Sequence, residues 1–166
     1  DSIPYAFLIN QNGGDPVVVD QQVNPLNIAG SYVAATALTS NKLFALYQTL
    51  ESKEIYVIII TTVGGRLYFQ NLGRWLDYAS IARGSNRINE YCVLKTIDSR
   101  RCIMAVTYGT SRPALVVEIE ITDSTFIVND MTNILNAKNI DIAELSVMDE
   151  NNIMVSCVDG TTGNKY

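Results

Sequence analysis

Apolar residues in this chain fall into short runs broken by polar or glycine-bearing turns, and their spacing predicts strands rather than helices. Strands are expected at 5–10, 16–20, 32–38, 42–48, 54–62, 66–70, 90–97, 102–108, 114–121, 125–129, 141–148 and 153–158. The segment 130–146 comes nearest to a helical period, but the rhythm of the flanking runs places it among strands. Runs such as Leu43 to Tyr47 are continuously apolar, which suits strands covered on both faces.

Two kinds of hairpin alternate. In the first, a four-residue polar turn joins two apolar runs: Thr39-Ser40-Asn41-Lys42, Asp98-Ser99-Arg100-Arg101 and Asp149-Glu150-Asn151-Asn152. In the second, Val57 to Thr62 leads through Val63-Gly64-Gly65 into Arg66 to Phe69. Val116 to Ile121 leads likewise through Thr122-Asp123-Ser124 into Thr125 to Val128, and Ala6 to Ile9 through Asn12-Gly13-Gly14-Asp15 into Pro16 to Val19. Gly-Gly supplies the positive φ that tight hairpins need. Both kinds shift together. Leu38 and Ile97 are 59 positions apart, as are Val57 and Val116; Val18 and Val128 are 110 apart, as are Leu38 and Met148. The connectors Asn24-Pro25-Leu26-Asn27, Arg74-Trp75-Leu76-Asp77 and Asn133-Ile134-Leu135-Asn136 occupy corresponding places, Leu pinning the crossover and Asn or Asp making the turn.

An internal repeat of four antiparallel strands in about 50 residues is the size of a β-propeller blade. The fold expected is all-β, made of antiparallel four-stranded blade repeats and β-propeller-like, with three blades' worth in this chain. The third copy, with Met148-Asp149, Ile153 to Val158 and Asp159-Gly160, resembles the β-propeller repeats of bacterial and algal surface proteins. The middle copy keeps Ile97-Asp98 and Gly109; the first has Leu38-Thr39 and no Gly. The resemblance implies an extracellular or cell-surface setting. A single repeat domain over 1–166 divides into a half-blade at 1–31, blades at 32–89 and 90–140, and a half-blade at 141–166. Asp1 stands where a start methionine would, and no charged-then-apolar leader follows. The chain is therefore expected to be a processed form or part of something longer, its propeller completed by another chain or by further parent sequence.

Composition narrows the chemistry. Hydrophobic residues are 48% and charged residues 17%, which excludes a disordered chain. Net charge is −5, and no basic cluster exceeds Arg100-Arg101, so nucleic acid is not an expected partner. Apolar runs such as Val57-Ile58-Ile59-Ile60 fall far short of the roughly 20 residues of a spanning helix. Cys92, Cys102 and Cys157 lie among apolar neighbours without CxxC spacing, which predicts buried free thiols rather than a disulfide framework.

No catalytic constellation is present. With no histidine, Ser-His-Asp and Cys-His systems and histidine-ligated zinc are excluded. GxGxxG, Walker A and GxSxG patterns do not occur. The Asp-box of six-bladed sialidases is only grazed by Asp159-Gly160-Thr161-Thr162-Gly163. The same stretch lacks the ligand spacing of a calcium loop and is expected to be a Gly-rich turn. Glu118 and Glu120 share one face of a strand and are expected on a solvated edge. Neither a metal nor a cofactor is expected.

The candidate binding residues come from a departure in spacing. Leu26 to Leu38 is 12 residues and Leu135 to Met148 is 13, but Leu76 to Ile97 is 21, so an insertion falls within 78–87. Repeat insertions gather on one face, often the binding face. This one brings Tyr78, Arg83 and Arg87 behind Arg74 and Trp75, and aromatics beside guanidinium groups suit glycan or protein contacts. The opposing expectation is a plain excursion with Trp75 packed inward. The function expected is a non-enzymatic structural or interaction module of an extracellular or surface assembly, its propeller completed by self-association or by further blades of a parent chain. A lectin-like glycan-binding propeller is the alternative, with a glycosidase a distant third.

Overall fold

The computed structural model describes residues 5–10, 15–23, 25–52, 54–75, 92–106, 115–133 and 140–159. Among these residues the chain is strand and turn, with no helix. The strands are β1 (Tyr5–Asn10), β2 (Val17–Val23), β3 (Gly30–Thr39), β4 (Lys42–Thr49), β5 (Ile55–Val63) and β6 (Arg66–Arg74), followed by β7 (Cys92–Thr96), β8 (Arg101–Val106), β9 (Leu115–Ile121), β10 (Phe126–Asn133), β11 (Ile140–Val147) and β12 (Ile153–Asp159). They form four antiparallel sheets: β1-β2, β3-β4-β5-β6, β7-β8-β9-β10 and β11-β12.

Local chemistry explains the hairpins. Asp98 Oδ1 accepts the backbone N–H groups of Arg100 and Arg101, both at 2.8 Å. Asp149 Oδ1 does the same for Asn151 at 2.8 Å and Asn152 at 2.9 Å. A short carboxylate that satisfies the turn's own donors fixes the hairpin's length. Gly64 and Gly65, at φ 56° and 76°, form the two-residue turn between Val63 and Arg66. Positive φ at both positions matches the twist of the flanking strands.

Registers coincide between sheets. Adding 59 to the pairs Leu43–Ile60, Phe44–Ile59 and Leu46–Val57 gives Cys102–Ile119, Ile103–Glu118 and Ala105–Val116, which are the observed β8–β9 pairs. Adding 51 to the β7–β8 pairs Thr96–Cys102 and Leu94–Met104 gives Val147–Ile153 and Leu145–Val155 in β11–β12. Subtracting 110 from Val128–Ile119 gives Val18–Ile9, and the skipped residue after Val128 reappears after Val18. Thus β1-β2 corresponds to the third and fourth strands of a four-stranded sheet, and β11-β12 to the first and second.

The sheets pack in chain order, β2 beside β6, β3 beside β7, and β7 beside β11. Polar bonds cross each junction. Asp20 Oδ2 on β2 accepts the Leu67 N–H on β6 at 2.7 Å. The Thr36 and Thr96 hydroxyls meet at 2.9 Å between β3 and β7, and Lys95 pairs with Glu144 at 3.3 Å between β7 and β11. Apolar side chains fill the space. Phe44, Leu46 and Val57 from one sheet meet Met104, Val117 and Ile119 from the next, and Ile103 and Ala105 meet Leu145 and Cys157. Because sheet β3–β6 has buried residues on alternating sides of β4 (Phe44, Ala45, Leu46, Tyr47), both of its faces are covered. This is why the run was unbroken in sequence.

Two expectations change. Strands β2, β6 and β10 run on to Val23, Arg74 and Asn133, past their expected ends. Glu118 and Glu120 do not lie on an edge: β9 sits between β8 and β10. Glu118 lies 3.8 Å from Arg101, and Glu120 accepts Asn129 Nδ2 at 3.2 Å, so neighbouring side chains partner both.

Candidate functional site

Arg74 and Trp75 owe their positions to an irregularity in β6. Val57 pairs with Gly73 and Ile58 with Asn71, leaving Leu72 as an extra residue and Gly73 at φ 111°, where only glycine sits without strain. Beyond that bulge, Arg74 Nη1 donates to Glu54 Oε1, while Glu54 Oε2 accepts Ser52 Oγ at 3.1 Å and Tyr56 Oη at 3.3 Å. The Arg74 bond, followed by that of Ser52, holds the Glu54 carboxyl below the usual range. Trp75 turns inward. Its side chain is 3% exposed and its ring meets Phe126 edge-on, centroids 6.0 Å apart at 71°. Its backbone N–H donates to Ile55 O at 2.8 Å.

Two of the five sequence-derived binding residues are thus adjacent, and their side chains do different things. Arg74 closes a polar cluster with Glu54 at the end of its sheet. Trp75 joins that sheet to the next through Phe126, and the buried indole presents no open face for stacking. Tyr78, Arg83 and Arg87 lie outside the described residues, as does the whole 78–87 insertion. So does Gly160 onward in the Asp159-Gly160 turn.

The titratable groups are tuned for structure. Burial pushes the Cys92 thiol up to about 12 and raises Cys102 and Cys157 as well, so none is a ready thiolate. All three are free cysteines. Asp98 is lowered first by the Arg100 N–H, Asp149 by Asn152, Asp20 by the Leu67 N–H and Glu144 by Lys95. No group of three or more potential metal-ligating side chains occurs among the described residues.

These depressed carboxylates set the pH response. The unfolded chain takes up protons first, so their contribution to stability is complete above the ordinary carboxylate range and is lost as pH falls through the lower folded values. With no histidine to titrate, the urea midpoint is expected to stay nearly level from pH 5 to 8 and to drop below about pH 4. A marked change between pH 6 and 8 would contradict this account.

A second feature was not found from sequence. A groove of about 260 Å³ runs between β1 and the face of sheet β3–β6, walled by Ala6 and Leu8 on one side and by Ala37, Leu43, Ile60 and Leu67 on the other. On β1 itself, Tyr5, Phe7 and Ile9 are exposed, as are Val17, Val18 and Val19 on β2. Scattered exposed apolar residues are ordinary; here they run along one hairpin. The signal lay in the shared spacing. Phe44, Ile103 and Met154 occupy equivalent hairpin positions, and among the described residues only Met154 has no following sheet against it.

No protein-family model matches this chain, and no curated protein or solved structure matches it either.

Proposed function

We propose that this chain is a non-enzymatic structural and interaction module, a β-propeller segment with three blades' worth of strands that completes its propeller by self-association. The observation carrying this is the coincidence of registers. The β4–β5 and β8–β9 ladders of the two four-stranded sheets match pair for pair, and the flanking two-stranded sheets match the complementary halves of a third. Two copies would then give six blades, within the roughly four to eight of propellers. A rotation that does not close would give a filament instead. The exposed Phe7 and Ile9 on β1 support association, since their counterparts Val117 and Ile119 are fully buried. An extracellular or cell-surface assembly fits the repeat resemblance.

Static light scattering across a concentration series tests this. The expected mass is at least twice 18.3 kDa, with closed particles or filaments in electron micrographs. A mass of 18.3 kDa at every concentration overturns the proposal.

A further inference from the structure

We infer that β12 of one copy pairs antiparallel with β1 of a second copy, in the register Ile153–Ile9, Met154–Leu8 and Val155–Phe7, and that Met154 fills the groove beside that copy's β1. The inference rests on the proposed self-association and specifies the joint.

The joint is fixed by counterparts inside the chain. β12 corresponds to β8 through the offset of 51, and β1 corresponds to β9 through the offset of 110. β8 and β9 are hydrogen-bonded neighbours, pairing Cys102 with Ile119, Ile103 with Glu118 and Met104 with Val117. Transferring those pairs by the same offsets yields the register above without any fitting. Among the described residues, β12 has β11 on one side only and β1 has β2 on one side only. The two bare edges are thus the edges that are paired in both complete sheets, whereas the outer edges of β2 and β11 correspond to strands that end those sheets.

The side chains agree with the backbone. Cross-strand partners in an antiparallel pair project from one face, so Met154 and Leu8 would lie on the same side. Leu8 already lines the groove against Leu43, Ile60 and Leu67. Phe44, the counterpart of Met154, packs into the equivalent space formed by Cys102, Met104 and Ile119, and is 0% exposed. Ile103, the other counterpart, is 6% exposed, while Met154 is 55% exposed. A flexible thioether on the free face and an apolar groove beside the complementary free edge are matched in chemistry and in position. Each edge belongs to the opposite end of the row of sheets, so the joint is head to tail. A second copy of this chain carries both halves of it.

Co-expressed chains carrying Leu8→Cys and Met154→Cys singly, oxidised with copper phenanthroline, test the register. A covalent species at twice 18.3 kDa is expected from the mixture and from neither variant alone. A control pair shifted by one residue, Ile9→Cys with Met154→Cys, places the two side chains on opposite faces and is expected to give none. Met154→Lys is expected to keep the far-ultraviolet spectrum of the fold and to weaken association at least tenfold. A multimer in which the 8–154 pair does not cross-link, or in which Met154→Lys changes nothing, overturns the joint while leaving self-association standing. A wild-type monomer overturns both. A Leu8→Cys/Met154→Cys chain whose disulfide closes within itself overturns the assignment to a second copy.

Discussion

Phe44→Ala is expected to cost about 3–5 kcal/mol, a large share of the roughly 5–15 kcal/mol that holds a domain folded. Phe44 is fully buried on β4, between Ile59 on the neighbouring strand and the Cys102, Met104 and Ile119 side chains of the next sheet. Truncation opens a void where two sheets meet, and β4, paired on both sides, cannot shift to close it. Urea unfolding reads the result as a lower midpoint with unchanged slope. The counterpart positions supply an internal control. Ile103→Ala is expected to cost about 2–5 kcal/mol, and Met154→Ala, measured where the chain is monomeric, within about 0.5 kcal/mol. Equal costs at all three would show that the coincidence of registers does not extend to the environment of the side chains.

Gly30→Val is expected to cost about 3 kcal/mol or more, through overpacking rather than a void. Gly30 opens β3 opposite Thr49, and any Cβ there collides with the Gln48 carbonyl oxygen and comes within 2.7 Å of Tyr47 Oη. Neither obstacle yields easily. Gln48 is held in the ladder by its pairing with Ile55 on one side and Ser31 on the other. Tyr47 is fully buried, packs edge-on against Tyr32 at 5.4 Å and donates its hydroxyl to Ile28 O. The lead-in is already committed, with Asn27 at φ 49°. Tyr47→Phe removes only the hydrogen bond, about 0.5–1.5 kcal/mol. If Gly30→Val cost no more than Tyr47→Phe, the steric account would fail.

The inner strands were legible because their apolar runs are unbroken and their turns announce themselves. Asp98 and Asp149 stand at the same place in two hairpins, and Gly64-Gly65 marks a third. The outer strands were under-read for one shared reason. β2, β6 and β10 each carry an extra residue opposite their partner, at Val19, Leu72 and Asn129, and each turns polar there, with Gln21-Gln22, Gln70-Asn71 and Asn129-Asp130. A bulge inverts the alternation halfway along, so period-two reading stops early. That error moved Arg74 and Trp75 into a connector. Once β6 is carried through its bulge, Trp75 follows as a residue packed between sheets. The groove beside β1 was out of reach because it is made by residues distant in sequence, Leu8 and Leu43, brought together only when the sheets stack.

The same bulges bear on which strand edges of a chain with 48% hydrophobic residues are open to further pairing. A flat rim strand templates further strands and seeds cross-β growth. Here β2, β6 and β10 are each twisted by a bulge, and the Asp20 carboxylate occupies the Leu67 N–H at the start of β6. Sideways accretion is thereby discouraged, while β1 and β12 carry no extra residue themselves, the irregularity in each of their ladders lying on β2 and β11. If copies join as inferred, growth takes the one direction those two edges allow, and colloidal fate becomes a matter of geometry rather than of overall stickiness.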